Sequence, residues 1–389
     1  MITLNNKELA LANTLGALKA SAGSHSPSIA TIKRLLPDLK INIDACFLSN
    51  PYATDLFIST LESTLIERGG LRALLEFYPS QNATIAQNLA PALGVEAKHI
   101  FIGNGAIEVI QAVLHRFVRK NLIVPIPTFS SYYEFIQPDT QVLFYPLAKE
   151  RDYMLDSGDL IAFAKKQGAK NLLLINPNNP NGGYITYENL VSLLQELAYM
   201  ETIIIDESFL HFAYENENLT FISYTELFKQ FPNVVLIKSM SKDFGIAGLR
   251  AGYGIMHEEK VKALLHNGYL WNINGLSEFF FMLFSDKSFM QHYEIVRKSY
   301  IKHSQDFFAK LHSIQGIKAY ESKANFALVE LTDGSKSWDL CMKLLANYGI
   351  YARTCNDKIG LEGEFVRIAS RSEQENLQII AALKELYNA

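Results

Sequence analysis

Seven short apolar runs, most of them running into glycine, asparagine or proline, set the rhythm of this 389-residue chain. They are "HIFIGNG", "NLIVPIP", "QVLFYPL", "NLLLINP", "ETIIIDE", "NVVLIKS" and "RAGYGIM". Their apolar positions do not alternate cleanly with polar ones, which predicts strands covered on both faces. The stretch "GAIEVIQAVLHRFV" carries apolar residues at helical spacing and predicts a helix opening at a glycine turn. Strands of this kind interleaved with helices predict an α/β fold built on a mostly parallel sheet. Polar residues gather just past the strand ends, where open α/β sheets place ligands.

Beyond about residue 290 the pattern changes. A long polar and aromatic helix, "SFMQHYEIVRKSYIKHSQDFFAKLHS", leads into "NFALVEL", another helical segment and "EFVRIAS". The expected organisation is a large domain over residues 46–289 and a smaller α+β domain made from 1–45 and 290–389.

Composition narrows the function classes. The 36 Lys+Arg against 40 Asp+Glu leave a mild net charge of −4, with no basic track for nucleic acid and no cationic face for a membrane. No apolar run approaches the roughly 18 residues of a span. The N-terminus lacks a basic leader with a long apolar core, so a cytoplasmic protein is expected. Cys46, Cys341 and Cys355 fit neither a zinc site nor a disulfide framework, and no metal is expected.

The densest chemistry lies in "VVLIKSMSKDFGIAGLRAGYGI", Val234 to Ile255. Lys238 ends a strand and needs no special role. Lys242 follows in a glycine-rich turn, with Ser239, Ser241 and Arg250 within reach of one volume. Two hydroxyls and a guanidinium suit a phosphate. A lysine amine beside a bound phosphate suggests pyridoxal phosphate. The spacing alone also accommodates a solvated basic loop.

This stretch resembles the lysine motif of fold-type-I pyridoxal-phosphate enzymes, in the branch of histidinol-phosphate aminotransferases and threonine-phosphate decarboxylases. The likeness runs from about residue 20 to the C-terminus, with separated motifs in family order. It implies a fold with a seven-stranded, mostly parallel sheet, Lys242 as the Schiff-base lysine, and Ser239, Ser241 and Arg250 on the cofactor phosphate. Asp206 in "IIIDESF" would hold a proton on the ring nitrogen, and Asn179 in "NPNNPNGG" would reach the ring oxygen. Gly105, Ala106 and Ile107 would present a helix start to the phosphate, and Phe129 would stack on the ring. Tyr78 would cross to the partner's cofactor phosphate, which implies a homodimer with shared active sites.

For the substrate, the resemblance assigns Arg367 to a carboxylate, with Arg371 close by. Three features lean toward decarboxylation of a small phosphorylated amino acid, O-phosphoserine or O-phosphothreonine. Phe209 stands where the aminotransferase branch has tyrosine, the two arginines have the tighter decarboxylase spacing, and His25 sits in an N-terminal segment directed at the substrate phosphate. That segment departs from the decarboxylase pattern at Ser26, Pro27 and Ser28, and "DACFLSNPYATD" keeps only Asn50 and Pro51 of another. An aminotransferase acting on a phosphorylated amino or keto compound is the alternative.

Overall fold

A computed structural model describes residues 1–21, 23–266 and 268–388. All seven apolar runs form strands of one sheet: β1 (Ile100–Asn104), β2 (Asn121–Ile126), β3 (Gln141–Pro146), β4 (Asn171–Ile175), β5 (Thr202–Asp206), β6 (Val234–Ser239) and β7 (Ala251–Ile255). Their order is β1-β7-β6-β5-β4-β2-β3. Neighbours from β6 to β3 are parallel, and β7 alone runs against both its partners. Every residue of β4, β5 and β6 is buried. Helices cover both faces, so these strands need no polar side, and their apolar runs follow from that burial. The edge strand β3 is exposed at three positions and ends in Pro146, which suits an unpaired edge.

A second sheet is antiparallel throughout. It comprises β8 (Ile317–Ala319), β9 (Phe326–Leu331), β10 (Arg353–Thr354) and β11 (Phe365–Ala369), in the order β10-β11-β9-β8. The 26-residue helix Lys287–His312 leads into it. The N-terminal helix Asn6–Ser21 shares an apolar core with this sheet through Ala12 and Leu15. Ile43–Asp44 pairs in parallel with Ile350–Tyr351 and brings Cys46 to the rim of the large sheet. Among the described residues no helix is long and apolar enough to cross a membrane.

Candidate active site

A cavity of about 260 Å³ opens at the carboxyl ends of β4, β5 and β6, between the two sheets. Asp206 ends β5, Ser239 ends β6, and Asn179 lies in the turn after β4. The parallel strands therefore deliver three polar side chains to one place.

Lys242 stands in the turn joining β6 to antiparallel β7. Its carbonyl accepts from Asn50 N at 2.9 Å and Gly245 N at 3.2 Å, so the helix starting at Pro51 clamps the turn. Gly245 has φ +66, and a Cβ there would collide with Asn50 O and Thr54 Oγ1. Only glycine allows that approach. Burial, then Arg367 and Arg250, push the Lys242 amine down to about 8.

Arg250 stands on the other side of the turn with φ +62, where its guanidinium fills the space a Cβ on Gly105 would take. Gly105 is itself at φ +77 and begins the helix Ala106–Phe117, whose first residues, Ala106 and Ile107, line the cavity. Ser239 and Ser241 are buried beside them, and Ser241 N donates to Ser239 Oγ at 3.2 Å. Hydroxyls, a guanidinium and a helix start converge on one volume, a strong anion site.

Asp206 is 5% exposed and is held on both carboxylate oxygens. Tyr132 Oη donates to Oδ2 at 2.9 Å and Ser208 N to Oδ1 at 2.8 Å. Burial raises its carboxyl pKa, and these hydrogen bonds work against the rise. Phe129 is partly buried on the wall, and Phe209 packs edge-on against Phe326 with centroids 5.2 Å apart. Asn179 Oδ1 accepts from Arg367 Nη1 at 2.7 Å, while Arg367 Nη2 donates to Cys46 O at 2.8 Å. Arg367 Nε is buried and has no hydrogen-bond partner among the described residues. Burial and Arg353 push this guanidinium down to about 10.

Two further cations join this wall. Arg353 donates to Ser26 Oγ at 3.0 Å, Ser24 O at 2.9 Å and Asp357 Oδ2 at 2.7 Å, fastening the N-terminal segment over the cavity. Lys358 lies 5.9 Å from the Phe129 centroid and is pushed down to about 8 by burial and by Arg353. His25 remains half-exposed beside them, with Nε2 3.7 Å from Glu134. Among the described lining residues, five are Lys or Arg (Lys242, Arg250, Arg353, Lys358, Arg367) and one, Asp206, carries a carboxylate. A cavity so charged suits a polyanion.

Tyr78 and Arg371 stand apart from it. Tyr78 is 81% exposed and stacks on Trp271 at 4.8 Å. Arg371 Nη1 donates to Ser49 O at 3.0 Å, and its backbone N–H donates to Asn376 Oδ1. Arg353 and Lys358 are the lining cations that motif reading missed. In the sequence they belong to a two-residue strand and a loop with no apolar rhythm, and the pairing of Arg353 with Arg367 is visible only in three dimensions. Lys238, expected only to end a strand, is wholly buried.

Comparison with known proteins agrees with this geometry. The sequence profile of the family "Aminotransferase class I and II" matches residues 48–383. The chain belongs to that family. Within it the chain falls in the histidinol-phosphate aminotransferase and threonine-phosphate decarboxylase branch of the fold-type-I superfamily. It is 54% identical over 387 residues to an L-serine phosphate decarboxylase of Campylobacter jejuni, covering 100% of this chain and 99% of that protein. It is 45% identical to an L-serine phosphate decarboxylase of Sulfurospirillum multivorans, covering 99% and 98%. A solved decarboxylase structure from Sulfurospirillum multivorans superposes with a TM-score of 0.95 over 98% of this chain and 97% of that one, at 45% identity. Pyridoxal 5'-phosphate is the cofactor expected of this family. The donor set fits it: a buried carboxylate, a lysine amine, and an anion cradle closed by Arg250 against Gly105.

Proposed function

We propose that this protein is a pyridoxal-phosphate-dependent decarboxylase of a small phosphorylated amino acid, O-phosphoserine or O-phosphothreonine. The products are carbon dioxide and the amino-alcohol phosphate. The observation that carries the reading is two groups of cations lining the cavity of Lys242: Arg250, packed against Gly105, and the mutually close Arg367, Arg353 and Lys358. One cation group suits the cofactor phosphate. The second exceeds what one carboxylate needs and suits a substrate bearing both carboxylate and phosphate. The two L-serine phosphate decarboxylases of similar sequence support the same substrate class.

When bound, pyridoxal phosphate supplies an electron sink for the pair left on Cα as the Cα–carboxylate bond breaks. Lys242 would hold the cofactor and return one proton to Cα, so that carbon dioxide leaves and a C–H bond replaces the C–C bond. Asp206, fixed by Tyr132 and Ser208, would keep a proton on the ring nitrogen. Ser239, Ser241, Arg250 and the helix start at Gly105, Ala106 and Ile107 would hold the cofactor phosphate. Phe129 would cover the ring and Asn179 would meet its oxygen. Arg367, steered by Asn179, would take the substrate carboxylate, and Arg353, Lys358 and His25 the substrate phosphate. Arg371 is assigned to support of Ser49. The apolar wall at Phe209 offers no hydroxyl to the ring oxygen.

The working unit of this reading is a homodimer. Leu75, Phe77, Tyr78, Leu270 and Trp271 form an exposed apolar group, with Leu75 at 72% and Phe77 at 68%. Its cover would be a second copy, with Tyr78 reaching the partner's cofactor phosphate.

The test is product analysis. Protein loaded with pyridoxal phosphate is given O-phosphoserine or O-phosphothreonine, with and without 2-oxoglutarate. Carbon dioxide and the amino-alcohol phosphate are expected without any keto acid. Stoichiometric amino transfer to 2-oxoglutarate with no carbon dioxide would establish the aminotransferase instead.

A further inference from the structure

Behind the turn that carries Lys242 lies a second group of charges that does not line the cavity. Lys238 is completely buried at the end of β6. Its Nζ donates to the carbonyl of Glu207 at 3.2 Å and to Asp243 Oδ2 at 2.5 Å. Asp243 is equally buried, and its Oδ2 lies 2.7 Å from His211 Nδ1. Burial and Lys238 push His211 down to about 4, so it stays neutral and donates to Asp243. Tyr293 Oη lies 3.0 Å from the same Nδ1, and the His211 carbonyl accepts from Arg297 Nη1.

The positions of these contacts in the chain matter. Glu207 directly follows Asp206, and Asp243 directly follows Lys242. One ammonium thus grips the backbone beside one predicted cofactor residue and the side chain beside the other. The turn has no regular hydrogen-bond ladder of its own to fix it. A buried ion pair is a poor way to gain stability, because apolar side chains of similar volume serve as well. Its more useful property is a fixed geometry.

We propose that Lys238 is a positioning residue, tying the segment of Asp206 to the segment of Lys242 so that both meet the cofactor in a fixed relation. This rests on the pyridoxal-phosphate reading of the site. It extends that reading to a residue outside the cavity, with Asp243 and His211 as its supports.

The experiment compares Lys238→Met, Lys238→Arg and the paired Lys238→Met/Asp243→Asn, which removes both charges. Far-UV circular dichroism and the melting temperature report folding. The visible band of the lysine-bound cofactor, its dissociation constant, and kcat and KM report placement. The paired variant is expected to fold yet show a shifted or weakened band, with kcat about 10- to 100-fold lower and KM within about threefold, as for a misplacement near 1 Å. Lys238→Arg should restore part of both the band and kcat. Folded neutral variants with the wild-type band, cofactor affinity and kcat would overturn the proposal. Failure of both Lys238→Met and the paired variant to fold would also overturn it, in favour of a purely structural ion pair. A wild-type protein showing no visible band with added pyridoxal phosphate would instead sink the cofactor reading.

Discussion

Arg353 and Arg367 are direct partners in the antiparallel pairing of β10 and β11, and both line the same cavity. Like charges placed opposite one another destabilise a sheet, and burial makes the placement more costly. Asp357 answers Arg353 at 2.7 Å, whereas the acceptors of Arg367 are the neutral Asn179 Oδ1 and Cys46 O. The uncompensated charge is therefore available to an anionic ligand. Replacing Arg367 by Met should lower kcat/KM by about 100-fold or more, the range for truncating one partner of a buried charge contact. The melting temperature should hold or rise, because a buried charge is removed. Steady-state kinetics beside a thermal melt checks both halves. A variant that loses stability and keeps kcat/KM would contradict the assignment.

Lys358 offers a pH test of the proposed substrate phosphate site. Burial and Arg353 place its amine near 8 in the ligand-free protein, so the ammonium is lost as pH rises through that value. Anion binding needs the charged form, and KM for the phosphorylated substrate should therefore climb between about pH 8 and 9. Lys242 also titrates near 8, which makes the comparison with Lys358→Arg the decisive one. Arginine keeps its charge across this range. The variant should show a flatter KM profile, while kcat keeps its wild-type pH dependence. An identical KM climb in both proteins would remove Lys358 from the phosphate site.

The contrast between Lys242 and Lys358 shows what the sequence can carry. Lys242 lies in a glycine-rich turn between two apolar runs, and each of those constraints is local: strand, tight turn, strand. The same holds for Asp206, which ends an apolar strand, and Asn179, in the tight turn after another. Arg353 owes its place to pairing with β11 and to the N-terminal segment, a contact that spans more than 300 residues in the case of Ser24, and Lys358 sits in the loop that follows. No periodicity records such pairing. Lys238 illustrates a different limit. A single lysine ending an apolar strand looks solvated unless its partners are known, and His211 lies on another strand's loop. Phe209, by contrast, was legible as a difference of residue type, and its packing against Phe326 is what the structure adds.

Glu207 makes a stability prediction with a definite sign. It is 6% exposed, and burial raises its carboxyl from 4.5 to about 7. A raised folded-state pKa means the folded protein holds the proton more tightly than the unfolded chain. Its contribution is complete below about pH 4.5 and is lost as pH rises through 7. Glu207→Gln carries no such titration. The variant should therefore gain on the wild type as pH rises, by at most about 3 kcal/mol at pH 8, at 1.36 kcal/mol per pKa unit. His211, pushed down to about 4, changes stability in the opposite sense between about 6.5 and 4, but it is present in both proteins and cancels from the difference. Urea unfolding of the pair at several pH values between 5 and 8.5 measures it. A difference independent of pH would refute the buried, protonated state of Glu207.

The proposed sharing of active sites makes a prediction that no single-chain explanation reproduces. Tyr78 is fully outside its own cavity, whereas Lys242 lies within it. Lys242→Ala should lose the visible cofactor band, and its activity should fall by about 10²–10⁴-fold or more, the range for a positioned proton-transfer group. Tyr78→Ala should weaken cofactor binding while leaving Lys242 intact. If each site draws its lysine from one protomer and its tyrosine from the other, a mixed dimer of these variants contains one complete site and one doubly damaged site. Random exchange of subunits makes half of the dimers mixed, so about a quarter of wild-type activity should return on unfolding and refolding the two variants together. Activity should stay at the sum of the separate variants if Tyr78 serves its own protomer. Gel filtration of each variant, before and after mixing, checks that dimers form and that recovered activity reflects exchange.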